Sequence, residues 1–350
     1  MADEQWLIVA AEPLQKFASE LLAAGGAPKE IADLVARHLV DANLCGHDSH
    51  GVLRVPTYID LRDKGQIVPE ARPAVVKETG AIAVLDGKRG YGYTAMDEAV
   101  RRASAMAKRF GIGGVAVRNC GHIGRLGGWV EQLARDGLVG EVTVGALGPG
   151  VGHAPPFGGA RRTLSTNPWA LGVPSKSHPP IVVDFATTSV AEGKLKFARA
   201  KKTSLPEGWI VDSQGKPSTN VEDFYGGGML LPFGGHKGSG LSIFASLLGG
   251  LSGEGGNGKL GGTMVVAFDP SVFGDADAYL TAVDGAIASL KAVPPAEGVK
   301  EVLLPGEPES RSREQRKRDG IPLPAETWRE LRALAGAENV PIPDIATPQR

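Results

Sequence analysis

Cysteine is nearly missing from these 350 residues: only Cys45 and Cys120 occur. They are too few, and spaced too far apart, for a disulfide framework or a zinc site with paired ligands. A reducing, cytoplasmic setting is therefore expected. A dominant charge is missing too, since 38 basic side chains meet 39 acidic ones for a net charge of −1, so attraction to nucleic acid by bulk charge is not expected. No apolar run approaches the ~20 residues of a membrane helix. The first residues also lack the basic end, apolar run and small-residue cleavage site of a secretory signal. The chain reads as soluble, with no membrane partner. Also absent is G-x-G-x-x-G between a strand and a helix, the fingerprint of the usual dinucleotide fold. Gly253-Glu254-Gly255-Gly256-Asn257-Gly258-Lys259 resembles a phosphate loop only until Leu260, where a Mg²⁺-binding hydroxyl is required. A P-loop nucleotidase is excluded.

What is present in excess is glycine, with 49 residues, about twice the usual ~7%. The glycines cluster between apolar segments without a fixed period, which implies tight turns and close backbone approaches. With 42% apolar and 22% charged residues the chain is globular, and a prior of about 150 residues per domain gives two domains.

The first 65 residues read as helical. Pro28 suits a helix start, Ile31, Leu34, Val35, His38, Leu39 and Ala42 form one stripe, and Gly46 ends it. Short β-like runs follow at Val75–Lys77 and Ala81–Asp86, then a helix with Met96, Ala99, Ala103, Met106, Ala107 and Phe110 on one face. Strands are expected at Ile112–Val117, Val139–Val144, Ala170–Val173 and Ile181–Phe185, with a Gly/Pro-rich loop at Gly145–Gly159. Ser189–Ala200 and Gly238–Leu251 read as helices and Asp212–Asn220 as an exposed loop. Thr263–Phe268 reads as a strand, Ala276–Leu290 as a helix, Val299–Leu304 as another strand, and Arg311–Arg318 as a solvated helix face. The class is α/β (α+β), with one sheet interrupted by a helical excursion.

Three patches carry candidate chemistry. His47-Asp48-Ser49-His50 is followed by Arg54 and Tyr58 at steps of four, so one helical face could present a proton donor, a forked cation for a carboxylate and a phenol, unless Pro56 bends the helix. The alternatives are a capped helix with a surface histidine, or a metal-dependent hydrolase holding its ion through His47, Asp48 and His50. His122, in the turn Gly121-His122-Ile123-Gly124, is a second candidate acid. Gly234-Gly235-His236-Lys237-Gly238 opens a helix and could receive a diphosphate or carboxylate on its amides, or could be a glycine-lined helix packed tightly on a neighbour. Both readings stand open.

Taken together, six motifs in order resemble the malate/L-lactate dehydrogenase family of the second type, which includes ureidoglycolate dehydrogenase, diketogulonate reductase, sulfolactate dehydrogenase and cyclic-imine reductases. They are Asp48-Ser49-His50-Gly51-Val52 with Arg54 and Tyr58, Gly121-His122-Ile123-Gly124, Ser165-Thr166-Asn167-Pro168, Val183-Asp184-Phe185-Ala186-Thr187, Gly235-His236-Lys237-Gly238 and Leu304-Pro305-Gly306-Glu307. The resemblance covers nearly the whole chain. It implies a non-Rossmann nicotinamide-binding mixed-sheet domain (76–188, with a return at 256–308) joined to a discontinuous, mainly helical domain (1–75 and 189–255), with C-terminal helices and a tail at 309–350. It also implies a homodimer, NAD or NADP as cofactor, no metal, and hydride exchange with a small 2-oxo or 2-hydroxy carboxylate or, alternatively, a cyclic imino acid.

Carried over by the resemblance, His50 is the general acid, assisted by Ser49 and Asp184, with His122 as the competing acid/base. Arg54 clamps the substrate carboxylate, and Tyr58 and Asn167 border the substrate. The cofactor is expected against Val182, Asp184, Phe185 and Ala186, against His122, His236 and Lys237, and against Gly306 and Glu307. Gly145-Ala146 departs from the Asn-Ser pair common in the family, which puts one cofactor hydrogen bond in doubt.

Overall fold

The computed structural model describes residues 6–344 and 346–348. A strand β1 (Trp6–Val9) precedes helices α1 (Ala11–Ala24), α2 (Lys29–Leu44) and α3 (Val55–Asp63). The α/β stretch comprises β2 (Ala74–Thr79), β3 (Ile82–Asp86), α4 (Gly92–Phe110), β4 (Ile112–Arg118), α5 (Leu126–Arg135), β5 (Val139–Leu147), β6 (Trp169–Val173) and β7 (Ile181–Phe185). The excursion holds α6 (Glu192–Lys201), β8 (Ile210–Val211), β9 (Pro217–Ser218), α7 (Val221–Tyr225), β10 (Met229–Leu230) and α8 (His236–Gly249). Then come β11 (Gly255–Gly256), β12 (Lys259–Phe268), α9 (Ala276–Lys291), α10 (Glu307–Asp319), β13 (Ile321–Pro324), α11 (Ala325–Ala337) and β14 (Ala346–Pro348).

The main sheet runs β2-β3-β4-β12-β5-β6-β7, with β11 paired to β12. Only β3 and β4 are parallel; β12 lies antiparallel to both β4 and β5. A late strand inserted antiparallel into the centre cannot belong to a doubly wound parallel sheet, so the missing fingerprint and the topology agree. Helices α4 and α5 cover one face and α8 the other.

Glycine sets these approaches. A Cβ on Gly113 would lie 2.1 Å from Ala103 O, bringing β4 backbone against α4, and one on Gly145 would lie 2.3 Å from Ser246 N. On the same face, a Cβ on Gly249 would lie 2.3 Å from Gly262 O. Helix α8 therefore rides directly on β5 and β12, as the close-packing reading of its glycines requires. Nothing with a side chain fits at Gly145 while α8 stays there.

Other differences from the sequence reading have local causes. β1 is a strand because Leu7 and its neighbours pair with both β13 and β14. β5 continues through Leu147 on β12, shortening the loop expected from Gly145. The 212–220 loop contains β9, which edges a small sheet with β8 and β10. Val299–Leu304 forms no strand: the segment passes the edge of β7 with a single backbone bond there, Val182 N–H to Pro305 O at 3.1 Å. The glycine run at 253–259 is a β-hairpin whose turn residues Asn257 and Gly258 both have positive φ. Among the described residues no helix is long and apolar enough to cross a membrane.

The largest correction concerns α10. Its basic run does not merely face solvent: Arg313 pairs with Asp41 and Glu131, Arg316 pairs with Asp48, and Ser312 Oγ donates to Leu44 O at 2.9 Å. A helix with almost no apolar residues is thus held to α2 by ionic contacts, and it steadies the segment that follows α2.

Candidate active site

That segment is not one helical face. Asp48–His50 and Val52–Arg54 are two successive 3₁₀ turns, and α3 starts at Val55 with Pro56 in its first turn. Proline here starts a helix and kinks nothing. Asn43, at the end of α2, locks the first turn: its Nδ2 donates to Asp48 Oδ1 at 2.6 Å, and its Oδ1 accepts from Val52 N–H at 2.9 Å. A Cβ on Gly51 would overlap the Asn43 carboxamide at 2.2–2.4 Å, so the glycine of the Asp-Ser-His-Gly motif makes room for this lock. Arg316 joins it by donating to Asn43 O and to Asp48.

Held in this way, Ser49 Oγ lies 3.0 Å from His50 Nδ1, and Arg54 Nε donates to Ser49 O at 2.7 Å. The Arg54 guanidinium has no acidic partner among the described residues. His47 turns to Glu309 at 3.1 Å and Asp48 to Arg316, so the three side chains of the metal alternative diverge. Among the described residues no three His, Cys, Asp or Glu side chains gather as a metal site.

Across from this turn stands His122. Its ring is stacked on that of His50 with centroids 5.4 Å apart. Tyr58 is 2% exposed and sits behind His122, its hydroxyl 2.8 Å from Nδ1 and 3.1 Å from the Tyr93 hydroxyl. Tyr93 was not anticipated. The available signal was Tyr91-Gly92-Tyr93 at a helix start, three residues holding two of the five tyrosines. A Cβ on Gly92 would meet His122 O at 2.5 Å, and one on Gly124 the Tyr93 hydroxyl at 2.7 Å. These glycines let α4 abut the histidine turn.

Burial, then Arg54 and His47, lowers the His50 pKa to about 4. His122 is lowered as well, by desolvation, then Arg54 and His50, although its ring is open to the cavity described next. Both imidazoles are neutral at pH 7. Asp184, at the end of β7, has a raised pKa because it is buried. Its Oδ2 accepts from Gly127 N–H at the start of α5 at 2.7 Å, and no hydrogen bond or ion pair joins it to His50.

A cavity of about 1740 Å³ opens at one end of the sheet, where β4, β5 and β7 finish and β12 begins. This exceeds the ~300–1,000 Å³ of a drug-sized site. Ser49, His50, His122, Asn167, Asp184, Phe185 and Ala186 line it; Arg54, Tyr58, Val182, His236, Lys237, Gly306 and Glu307 do not. Asn167 lines it with backbone strain, at φ +35, while its carboxamide faces inward: Oδ1 accepts from Ala146 N–H at 2.8 Å and Nδ2 reaches Ser242 Oγ and Ser246 Oγ. His236 and Lys237 are exposed at the start of α8, Gly306 packs on Val182, and Glu307 is paired with Lys291 and Arg311. Arg125, also unanticipated, lines the cavity with its side chain 4% exposed; Nη2 meets Glu131, while Nε and Nη1 find no partner among the described residues.

The profile of the malate/L-lactate dehydrogenase family matches residues 9–332. Hydroxycarboxylate dehydrogenase B of Escherichia coli is 35% identical over 338 residues, 92% of this chain and 91% of its own length. A Δ1-pyrroline-2-carboxylate reductase of Ancylobacter novellus is 35% identical over 332 residues, 90% of this chain and 94% of its own. The solved structure of sulfolactate dehydrogenase from Methanocaldococcus jannaschii superposes with a TM-score of 0.86 at 33% identity, covering 95% of this chain and 98% of that one.

Proposed function

Since this chain belongs to the malate/L-lactate dehydrogenase family, we propose that its cavity holds a nicotinamide dinucleotide beside a small 2-oxo or 2-hydroxy carboxylate. It is an oxidoreductase of the hydroxy-acid class. The residues fit such a cofactor: the cavity is large, the glycine-rich ends of β5 and β12 expose backbone, and Arg125 carries buried N–H groups without partners among the described residues. Phe185, Ala186 and the Gly121–Gly124 turn would hold the dinucleotide. When bound, it supplies hydride to C2 of the oxo acid or accepts it from the hydroxy acid.

The observation that carries the reading is Arg54: it does not itself line the cavity, but it is bonded to Ser49 O beside the two neutral histidines that do, and its guanidinium has no acidic partner among the described residues. Such a fork suits a carboxylate. Arg54 orients the acid, and His50 exchanges the proton at the C2 oxygen with Ser49 Oγ on its Nδ1. A cyclic imino acid is the second reading, favoured by the relative named as a Δ1-pyrroline-2-carboxylate reductase. The two free thiols suit a reducing cytoplasm.

The test follows nicotinamide absorbance with NADH and NADPH over a panel of 2-oxo acids and cyclic imino acids, in the presence of a chelator. Turnover with at least one pair is expected, and the pair identifies both cofactor and substrate class. Binding of both cofactors with silence across the panel would remove the proposal, and turnover abolished by the chelator would show that hydride transfer here needs a metal.

The same reading includes a homodimer. On the outer side of α8, Phe244 and Leu247 are about half exposed, and the Phe244 ring stacks on Trp169 at 6.1 Å. A second copy covering this face predicts twice the 36.4 kDa chain mass in solution; light scattering that gives a single-chain mass removes it.

A further inference from the structure

Tyr93 is 1% exposed, and its hydroxyl has one hydrogen-bond partner among the described residues, the Tyr58 hydroxyl at 3.1 Å. Tyr58 in turn has two, Tyr93 and His122 Nδ1 at 2.8 Å. Each hydroxyl owns one proton, so only two orderly arrangements exist. In the first, Tyr93 donates to Tyr58, Tyr58 donates to Nδ1, and the imidazole proton sits on Nε2. In the second, Nδ1–H donates to Tyr58 and Tyr58 to Tyr93, which leaves the buried Tyr93 O–H without an acceptor. An orphaned buried donor is costly, whereas a hydroxyl oxygen with an unused lone pair is tolerated. The first arrangement wins.

We propose that Tyr93 and Tyr58 form a one-way hydroxyl chain that holds neutral His122 as its Nε2–H tautomer, making His122 an uncharged hydrogen-bond donor to the oxygen on C2 of the substrate. Tyr58 and Tyr93 are positioning residues in this scheme. Besides the bonded Tyr58, the charged and titratable groups facing His122 are Arg54 and His50, and both act with desolvation against the imidazolium. A neutral imidazole polarises a carbonyl by donation alone. It cannot readily surrender its proton here, because relaying a replacement through the chain would leave a tyrosinate on Tyr93, whose pKa burial has pushed up. The two histidines therefore divide the work: His122 polarises and His50 transfers the proton. The tautomer stands independently of the reaction; its catalytic meaning rests on the function proposed above.

The experiment is nitrogen NMR of the full-length protein labelled at histidine, near pH 7.5 and without substrate, with the His122 ring signals identified by their loss in His122→Asn. A protonated Nε2 and a bare Nδ1 are expected, in at least tenfold excess over the other form. A protonated Nδ1, or signals averaged between tautomers, would overturn the proposal. Tyr93→Phe should preserve the Nε2–H form, since Tyr58 then has Nδ1 as its sole acceptor; a switch to Nδ1–H overturns it. Tyr58→Phe should yield mixed tautomers and lower kcat about tenfold with KM within about threefold, as loss of one transition-state hydrogen bond implies. A folded Tyr58→Phe protein with a pure Nε2–H His122 and unchanged kcat would also overturn it. If that variant does not fold, the wild-type and Tyr93→Phe spectra decide. Absence of turnover with any substrate refutes the proposed function and leaves the ring spectra readable.

Discussion

His50→Ala lowers kcat by about 10²–10⁴-fold, the usual scale of general acid–base catalysis, and removes the pH dependence of the remaining rate. The cause is geometric first: the His50 ring stands at the cavity with the Ser49 hydroxyl on its Nδ1, whereas the Nδ1 of His122 is taken by the buried tyrosine pair. The sign of the pH dependence follows from its lowered pKa of about 4. A general base works when unprotonated, so kcat/KM for oxidation of a hydroxy acid is flat around pH 7 and falls only as pH drops through about 4. A general acid works when protonated, so kcat/KM for reduction of an oxo acid is greatest below that pKa and falls about tenfold per pH unit above it. Steady-state kinetics in both directions, with and without the substitution, supply the check. Full activity in His50→Ala would transfer the proton to His122 and contradict the division of labour between the two rings.

Much of this site could be read in the sequence because its motifs are local. Asp48-Ser49-His50-Gly51 and Gly121-His122-Ile123-Gly124 each carry their own turn chemistry, and the strands at Ile112, Val139 and Ile181 show in apolar runs. The errors arose where a contact between distant segments decides. Steps of four allow His50, Arg54 and Tyr58 one helical face unless Pro56 intervenes, yet two 3₁₀ turns form instead, because Asn43 and Arg316 hold Asp48 from α2 and α10. Tyr58 is expected beside the substrate; in the fold its hydroxyl is instead taken by His122 and by Tyr93 of α4. Asp184 was expected behind His50, and the start of α5 takes its carboxylate instead. Apart from Asn43, which lies five positions before Asp48, each outcome pairs residues at least 35 positions apart that no local period connects.

The charge run 311–318 shows the same limit from the other side. Read alone, Arg313 and Arg316 are solubilising charges. In the fold they meet Asp41, Glu131 and Asp48, and Glu131 also holds the buried Arg125. Four motifs separated in sequence thus share one ionic lattice beneath the cavity. Removing one member of a buried pair leaves an unpaired charge, so this lattice fixes where the His50 turn sits relative to the end of β7.

Arg54→Ala should lower kcat/KM for an oxo acid by about 10²–10³-fold, chiefly through KM, because a two-pronged charged contact contributes about 3–4 kcal/mol. A second consequence separates this from general damage. After burial, Arg54 is the next largest cause holding the His50 pKa down, so removing the guanidinium raises that pKa. The alkaline fall of the reduction profile then moves to higher pH, opposite to the loss in affinity, and the acid limb of the oxidation profile moves upward with it. Binding of a carboxylate to the intact protein works in the same direction, since an anion beside Arg54 offsets its field at His50. Substrate thereby brings His50 toward the protonation range needed for reduction at neutral pH, and product release restores the base. Arg54→Lys keeps the charge while losing the fork; it should retain the low His50 pKa while still weakening KM. Unchanged kinetics in Arg54→Ala would remove Arg54 from the site, and a fall in kcat/KM without movement of the pH profiles would sever its electrostatic link to His50.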